Sequence, residues 1–197
     1  KDFVKQVIVS VNIHAFWSGL VGVINKDLGK LFQSYLAYEI SRIKSSAGKH
    51  SKLQSVLVHE ILTDMALALD MEWLFRSHIS LMGKLGIKPG FDTRNFPYLV
   101  TKFREWGIDL SDLVVAAPFN SLGFQMSPSK ERCESILSEV QGMEIIAFSL
   151  LAAGFLDVSA AANYAKGLPN LTGVAIGSSR PEQAEKTFSI MKEILAK

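Results

Sequence analysis

Short apolar runs rich in β-branched residues alternate with longer segments of helical periodicity along most of the chain. Apolar residues recur every three to four positions in the helical segments, whereas the short runs alternate between two faces. This alternation is typical of parallel βα units, because a helix usually connects two parallel strands. The six predicted strands are 7–14, 55–61, 87–95, 113–120, 144–149 and 172–177. The predicted helices are 26–45, 65–85, 97–106, 129–140, 158–166 and a last one that begins near Pro181.

The two faces of these runs differ in polarity, and this difference helps to choose between a barrel and an open sheet. In the first run the odd positions are all Val or Ile, and the even positions include Ser10, Asn12 and His14. A strand covered by helices on both faces is usually apolar on both, whereas small or polar residues on one face suit a barrel interior. We therefore predict an α/β fold of TIM-barrel-like parallel βα units in one domain, 1–197, with an open doubly wound sheet as the alternative. Since eight units complete such a barrel, six correspond to an incomplete or N-terminally trimmed (βα)8 barrel.

Composition excludes several classes of protein. Of the 197 residues, 48% are apolar and 20% are charged, which differs from the composition of disordered chains. Twenty-one Lys and Arg against nineteen Asp and Glu leave a net charge of +2 without a basic patch, so no nucleic-acid partner is expected. The longest apolar run, 145–156, is shorter than the ~20 residues that span a bilayer, so no membrane partner is expected. The single cysteine, Cys133, allows no internal disulfide, which favours a cytoplasmic location.

Several motifs in residues 87–197 can be compared with a known family. A strand with Gly90 ends near Thr93 and Asn95 before a helix, and a later strand ends in Ala-Pro-Phe-Asn-Ser-Leu at 117–122. The run 144–156 ends in Phe-Ser-Leu-Leu-Ala-Ala-Gly-Phe-Leu, and 173–186 reads Gly-Val-Ala-Ile-Gly-Ser-Ser-Arg-Pro-Glu-Gln-Ala-Glu-Lys. Together these motifs resemble the last four βα units of the aldo/keto reductase superfamily, with Leu150 where that family usually has proline.

This resemblance implies a TIM barrel that reduces a small carbonyl compound by hydride transfer from a nicotinamide cofactor, NADP. His59, at the end of the second predicted strand, matches the catalytic histidine of the family, and the family's catalytic Tyr and Lys cannot be placed at any strand end. The segment Gly177, Ser178, Ser179 and Arg180 is similar to the one that holds the cofactor phosphate.

Polar residues at the carboxyl ends of the predicted strands are the candidates for chemistry, because these ends meet at one mouth of a parallel barrel. His14, His59 and Asp92 are the predicted catalytic residues, since His in particular titrates near neutral pH. The alternative for each histidine is a hydrogen bond within the barrel. Asp92 and Arg94 share strand parity and are expected to pair at the rim. His59 and Glu60 are adjacent and point to opposite faces of a strand, so no metal site is predicted.

Cofactor-binding residues are predicted at three other strand ends. The segment 177–180 suits a phosphate, because free N–H groups at a helix start attract anions and Arg180 adds a charged donor. Ser179 is the expected cap of the last helix. Asn120 and Ser149 either orient a ring or carbonyl by hydrogen bonds or satisfy the backbone of a loop.

Three functions are compatible with these residues. The leading hypothesis is an aldo/keto-reductase-like oxidoreductase with a phosphate-bearing ligand. The second is a lyase or isomerase that acts on a small phosphorylated metabolite, with His14 or His59 as base. The third is a non-catalytic relative of the barrel that uses its apolar surface for self-association as a homo-oligomer or for binding a partner.

Overall fold

The computed structural model describes residues 28–47 and 52–196 of the chain. These residues form seven helices, five strands and a short 3₁₀ turn at Ala152–Gly154. The strands are β1 (Ser55–Val58), β2 (Lys88–Asp92), β3 (Val114–Pro118), β4 (Glu144–Phe148) and β5 (Gly173–Val174). The helices are α1 (Leu28–Ser46), α2 (Glu60–Ala68), α3 (Glu72–Leu85), α4 (Phe96–Glu105), α5 (Lys130–Glu139), α6 (Val158–Gly167) and α7 (Pro181–Leu195). No helix in the described part of the chain is long and apolar enough to cross a membrane.

The five strands form one parallel sheet in the order β1-β2-β3-β4-β5, so each strand lies beside the next one along the chain. The register places Gly90 beside Val114, and Ile146 beside Gly173. Sequential parallel strands joined by helices confirm the predicted α/β fold with βα units. Among the described strands, β1 and β5 remain at the two edges and do not close a barrel. The predicted strand 7–14 lies outside the described residues.

Three predicted elements differ from the observed ones. The predicted strand 55–61 ends at Val58, because His59 caps a helix that begins at Glu60. The single helix predicted over 65–85 is two helices, interrupted at Asp70, where φ is +50°. The predicted strand 172–177 has only the two paired residues of β5. Periodic apolar residues do not reveal such breaks, because a helix can stop and restart without changing the spacing of its apolar positions.

The chain divides into two compact units. The first contains 28–47, 52–56 and Met71–Pro89 of the described residues. Its core consists of Ile40, Met82 and Ile87, which are almost fully buried. Gly86 ends α3 in the left-handed conformation, and its N–H donates to carbonyls of the last helical turn.

The second unit contains Leu57–Asp70 and 90–196, and it carries most of the sheet. All five residues of β3 are buried. Phe91 of β2 packs edge-to-face on Phe103 of α4, with 5.3 Å between ring centroids, so this face of the sheet is covered by helices. On β4 the residues of that face, Ile145 and Ala147, are fully buried, and the alternate positions are more exposed. The two faces of β4 therefore differ in burial. Because β1 and β2 contribute residues to both units, this division does not decide whether 1–197 is one domain, which stays a prediction.

Candidate active site

His59 lies at the junction of β1 and α2, on the edge of the second unit where the carboxyl ends of the strands meet. It is the N-cap of α2, and its Nδ1 accepts a hydrogen bond from the Ile61 N–H at 3.3 Å. A ring nitrogen that accepts carries no proton, so the proton of the neutral imidazole is on Nε2. The side chain is exposed, which leaves Nε2–H available to a ligand.

Helix α2 fixes the turn that follows β2 through two acidic side chains one helical turn apart. Glu60 accepts from Arg94 Nε at 2.8 Å and from Arg94 Nη2 at 2.5 Å, which is a bidentate ion pair. Asp64 accepts from the Thr93 hydroxyl and from the Arg94 N–H, the latter at 3.1 Å. Thr93 is fully buried and its Oγ1 accepts from the Asn95 N–H, so the turn is held from within as well.

Asp92 is the last residue of β2 and immediately precedes this turn. Its Oδ1 atom is buried and has no hydrogen-bond partner. Burial raises the pKa of Asp92 to about 6, the negative charges of Glu60 and Asp64 add to this effect, and His59 and Arg94 oppose it. A carboxyl group with this pKa can hold or release a proton near neutral pH.

The predicted ion pair between Asp92 and Arg94 is wrong. The guanidinium of Arg94 bonds to Glu60, whose pKa is lowered chiefly by this hydrogen bond. Strand parity places Asp92 and Arg94 on the same side but cannot show that a helix 34 residues earlier in sequence supplies the stronger partner. Arg94 therefore acts on Asp92 only through its charge.

Asn120 follows β3 and is fully buried. Its Nδ2 donates to the Phe124 carbonyl and its Oδ1 accepts from the Phe124 N–H, both at 2.8 Å. Because both polar groups of the amide close the loop 120–124, the structure favours the backbone role over the cofactor role. A cofactor contact at Asn120 stays a prediction.

Asn120→Ala is expected to lower the free energy of unfolding by about 2 kcal/mol, because it removes two partly buried hydrogen bonds that close the loop. Thermal or urea denaturation measures this loss. Asn163→Ala is a matched control, since the amide of Asn163 donates to the Ser159 carbonyl on an exposed helix surface. Equal stabilities of the two variants would contradict this role of Asn120.

Residues 177–180 lie between β5 and α7 and are all exposed. A Cβ at Gly177 would have no heavy atom within 4 Å, so a ligand can approach its backbone. The Ser178 hydroxyl donates to the Arg180 carbonyl at 3.1 Å. The expected cap at Ser179 is wrong, because α7 begins at Pro181 and the N-cap is Arg180, which makes no side-chain cap bond.

The structure brings only part of the predicted site together. His59 and Asp92 interact electrostatically, whereas 177–180 follow β5 at the opposite edge of the described sheet. Ser149 follows β4, and its hydroxyl donates to Gln125 Oε1 at 3.2 Å. His14 lies outside the described residues. Within 28–47 and 52–196, no three His, Cys, Asp or Glu side chains form a group that could hold a metal ion.

Two contributors to the site were missed by sequence reasoning. Asp64 lies inside a helix and no motif distinguishes it from a solvated carboxylate. Gln125 lies in a loop, and its left-handed backbone, with φ +62°, has no sequence signal of the kind that glycine or asparagine gives. The spacing of Glu60 and Asp64 at i and i+4 was the available signal for a shared helix face.

Comparison with known proteins supports the fold. No protein family matches the sequence, and no curated protein matches it. A solved structure described as "Putative aldo-keto reductase from Pseudomona aeruginosa" matches 82% of this chain with a TM-score of 0.59 and 16% sequence identity. The chain spans 58% of the length of that protein. At this identity the match shows a common TIM-barrel-like fold, which is the fold that the sequence motifs implied.

Proposed function

We propose that this protein is an aldo-keto-reductase-like oxidoreductase that reduces a small carbonyl compound with a nicotinamide cofactor, NADP. The observation that carries the proposal is Asp92, a half-buried carboxyl group whose Oδ1 atom is fully buried and whose pKa is about 6, at the carboxyl end of β2. Carbonyl reduction needs a proton donor beside the reacting oxygen. The similarity of fold to a protein described as an aldo-keto reductase supports this reaction over others in a barrel.

The residues of segment 177–180 fit the phosphate end of such a cofactor. The segment is exposed, the space at Gly177 is open, and the helix that follows is 15 residues long. The first N–H groups of a helix have no partner within the helix and favour anions. Arg180 adds a guanidinium that can bind a phosphate at two points. Ser178 and Ser179 add hydroxyl groups at the same exposed segment.

Each acidic or basic side chain of the site then has a defined role. The nicotinamide, when bound, supplies the hydride for the carbonyl carbon. His59 Nε2–H donates a hydrogen bond to the carbonyl oxygen and polarises it. Protonated Asp92 transfers its proton to that oxygen. Burial keeps the proton on Asp92, and the negative charge of Glu60, which is held by Arg94, adds to this effect.

Exposed apolar residues in the segments that follow β1, β3 and β4 favour an apolar substrate. The described part of the second unit has eight large apolar residues that are exposed, and all except Tyr98 and Phe188 follow β1, β3 or β4. Among them Phe155 is 82% exposed and Ile61 is 70% exposed. Exposed apolar groups on a soluble fold often mark ligand or partner sites. Benzaldehyde is therefore a suitable first probe.

Titration with NADPH is expected to change the tryptophan fluorescence of the protein with a saturable curve. Arg180→Ala is expected to weaken NADPH binding roughly tenfold, because it removes a charge-assisted contact to phosphate. Lys186→Ala, an exposed cation further along α7, is the matched control and should bind as the wild type does. A wild-type protein that shows no saturable change with NADPH would contradict the oxidoreductase proposal.

A lyase or isomerase acting on a phosphorylated metabolite is the second candidate function. The observation that favours it is again Asp92, because a carboxylate with a pKa of about 6 is also a suitable base for abstracting a carbon-bound proton. In that case segment 177–180 binds the phosphate of the substrate. If inorganic phosphate binds to the protein and NADPH does not compete with it, the result supports this candidate over the oxidoreductase.

A further inference from the structure

Strained backbone is concentrated in the two loops that follow β3 and β4. Seven described residues other than glycine have positive φ, and three of them are Asp70, Asp112 and Asn170. Asp and Asn adopt the left-handed conformation at little cost. The other four are Gln125, Ser149, Ala152 and Ala153, with φ between +45° and +62°. For such residue types this conformation is unfavourable and persists only where the surrounding structure enforces it, which occurs most often at functional sites.

A hydrogen bond joins the two strained polar residues. The Ser149 hydroxyl donates to Gln125 Oε1 at 3.2 Å. The glutamine side chain has one acceptor oxygen and two N–H donors. Since the oxygen faces Ser149, the amide nitrogen faces away from it with two protons to donate. Both residues are half-buried, so this polar pair is partly shielded from water.

The loop of Gln125 is also tied to the candidate active site. Two residues after Gln125, the Ser127 N–H donates to the Arg94 carbonyl at 3.1 Å. Arg94 belongs to the turn that follows Asp92 and is held by α2. The loop is closed on its other side by Asn120, which follows β3. Gln125 is thus connected to the carboxyl ends of β2, β3 and β4, and its position is fixed from all three.

We propose that Gln125 is a specificity-determining residue whose Nε2–H donates a hydrogen bond to an uncharged oxygen of the bound ligand, with Ser149 as the positioning residue that orients the amide. An amide N–H that adds no positive charge is suited to an uncharged acceptor such as a carbonyl or carboxamide oxygen. Two sources supply such an oxygen, the substrate carbonyl and the carboxamide of a nicotinamide. The inference rests on the proposed function, and binding experiments distinguish the two sources.

The decisive variant is Gln125→Glu. Glutamate keeps an oxygen that accepts from the Ser149 hydroxyl, so the structural bond is retained, but it has no N–H to donate. Gln125→Met removes both interactions. Both variants are expected to weaken ligand binding roughly tenfold, the amount that corresponds to about 1.4 kcal/mol. Gln141→Met, at an exposed position before β4, is the matched control and should bind as the wild type does.

Two measurements, the KM for benzaldehyde and the Kd for NADPH, identify the source of the oxygen. A raised KM for benzaldehyde with an unchanged Kd for NADPH assigns the contact to the substrate, and a raised Kd for NADPH assigns it to the cofactor. If the wild type binds NADPH and Gln125→Glu has wild-type affinity for both ligands, the inference about Gln125 is wrong and the proposed function is unaffected. A wild type that binds neither NADPH nor benzaldehyde overturns the proposed function and, with it, this inference.

Discussion

Asp92→Asn is expected to make the protein more stable at pH 8 than the wild type, by about 1–2 kcal/mol. The pKa of Asp92 is about 6 in the folded protein and about 3.9 in an unfolded chain. Between these values the folded state keeps a proton that the unfolded state has lost, so the free energy of unfolding falls as pH rises from about 4 to 6. Above pH 6 the folded protein holds a partly buried charge, and asparagine removes it. The full shift corresponds to about 3 kcal/mol, which we reduce because water reaches part of the carboxyl group.

Thermal melts at two pH values measure this effect. The melting temperature of Asp92→Asn should exceed that of the wild type by about 2–8 °C at pH 8. The two should agree at about pH 3, where Asp92 is largely protonated in both the folded and the unfolded state. Asp109→Asn is the control, because the pKa of Asp109 is shifted in the opposite direction. Hydrogen bonds from Ser111 lower the pKa of Asp109, so its loss should not stabilise the protein at pH 8. An Asp92→Asn protein that is less stable at both pH values would show that the carboxylate has a partner.

The same substitution is expected to lower kcat by about 100-fold or more if the protein reduces carbonyl compounds, since an asparagine cannot transfer a proton. A gain in stability together with a loss of activity identifies a residue that is retained for chemistry. His59→Ala serves as the comparison, because it removes a hydrogen-bond donor but leaves the proton on Asp92. Its loss in kcat should be smaller. Equal turnover of Asp92→Asn and the wild type contradicts the role of Asp92 as proton donor.

The sheet could be predicted from the sequence because its signals are local. The buried strand β3 is a run of apolar residues between polar turns. Gly86 marks the end of a helix because glycine adopts the left-handed conformation without steric cost. The parallel order follows from the alternation of strands with helices. The motifs near Asn95 and Arg180 resemble those of a family with a TIM-barrel fold, and the structural comparison supports that fold. These features need only a few neighbouring residues to be recognised.

The charge arrangement at the site could not be predicted, because it depends on contacts between residues about 30 positions apart. Arg94 reaches Glu60 and Thr93 reaches Asp64 only after α2 has packed beside the turn. The buried Oδ1 of Asp92 follows from the same packing. The break between α2 and α3 also has no apolar signature, since the periodicity continues across Asp70. Sequence reasoning therefore placed His59 and Asp92 at the same end of the sheet but assigned Arg94 the wrong partner.

Gly90→Ala is expected to destabilise the protein by about 3 kcal/mol, the upper end for overpacking in a core. Gly90 is buried in β2, and a Cβ there would lie 2.7 Å from Leu57 Cγ, 2.9 Å from Leu57 Cδ1 and 3.0 Å from the Val114 carbonyl oxygen. Glycine is thus required by the close approach of β1, β2 and β3. The melting temperature should fall by about 6–12 °C. Gly83→Ala is the control, because a Cβ in this helix meets nothing within 4 Å and alanine favours the helix by about 0.5–1 kcal/mol.

The double variant Gly90→Ala with Leu57→Ala separates the two contacts that a Cβ at position 90 would make. If the leucine side chain causes the clash, the two substitutions together should cost at least about 1 kcal/mol less than the sum of their separate effects, because the smaller residue makes room for the new methyl group. Part of the loss should remain, since the Val114 carbonyl oxygen belongs to the backbone and cannot move aside. Strictly additive effects in urea denaturation would place the clash on the Val114 backbone alone, and a neutral Gly90→Ala would show that β1 and β2 lie further apart than the structure places them.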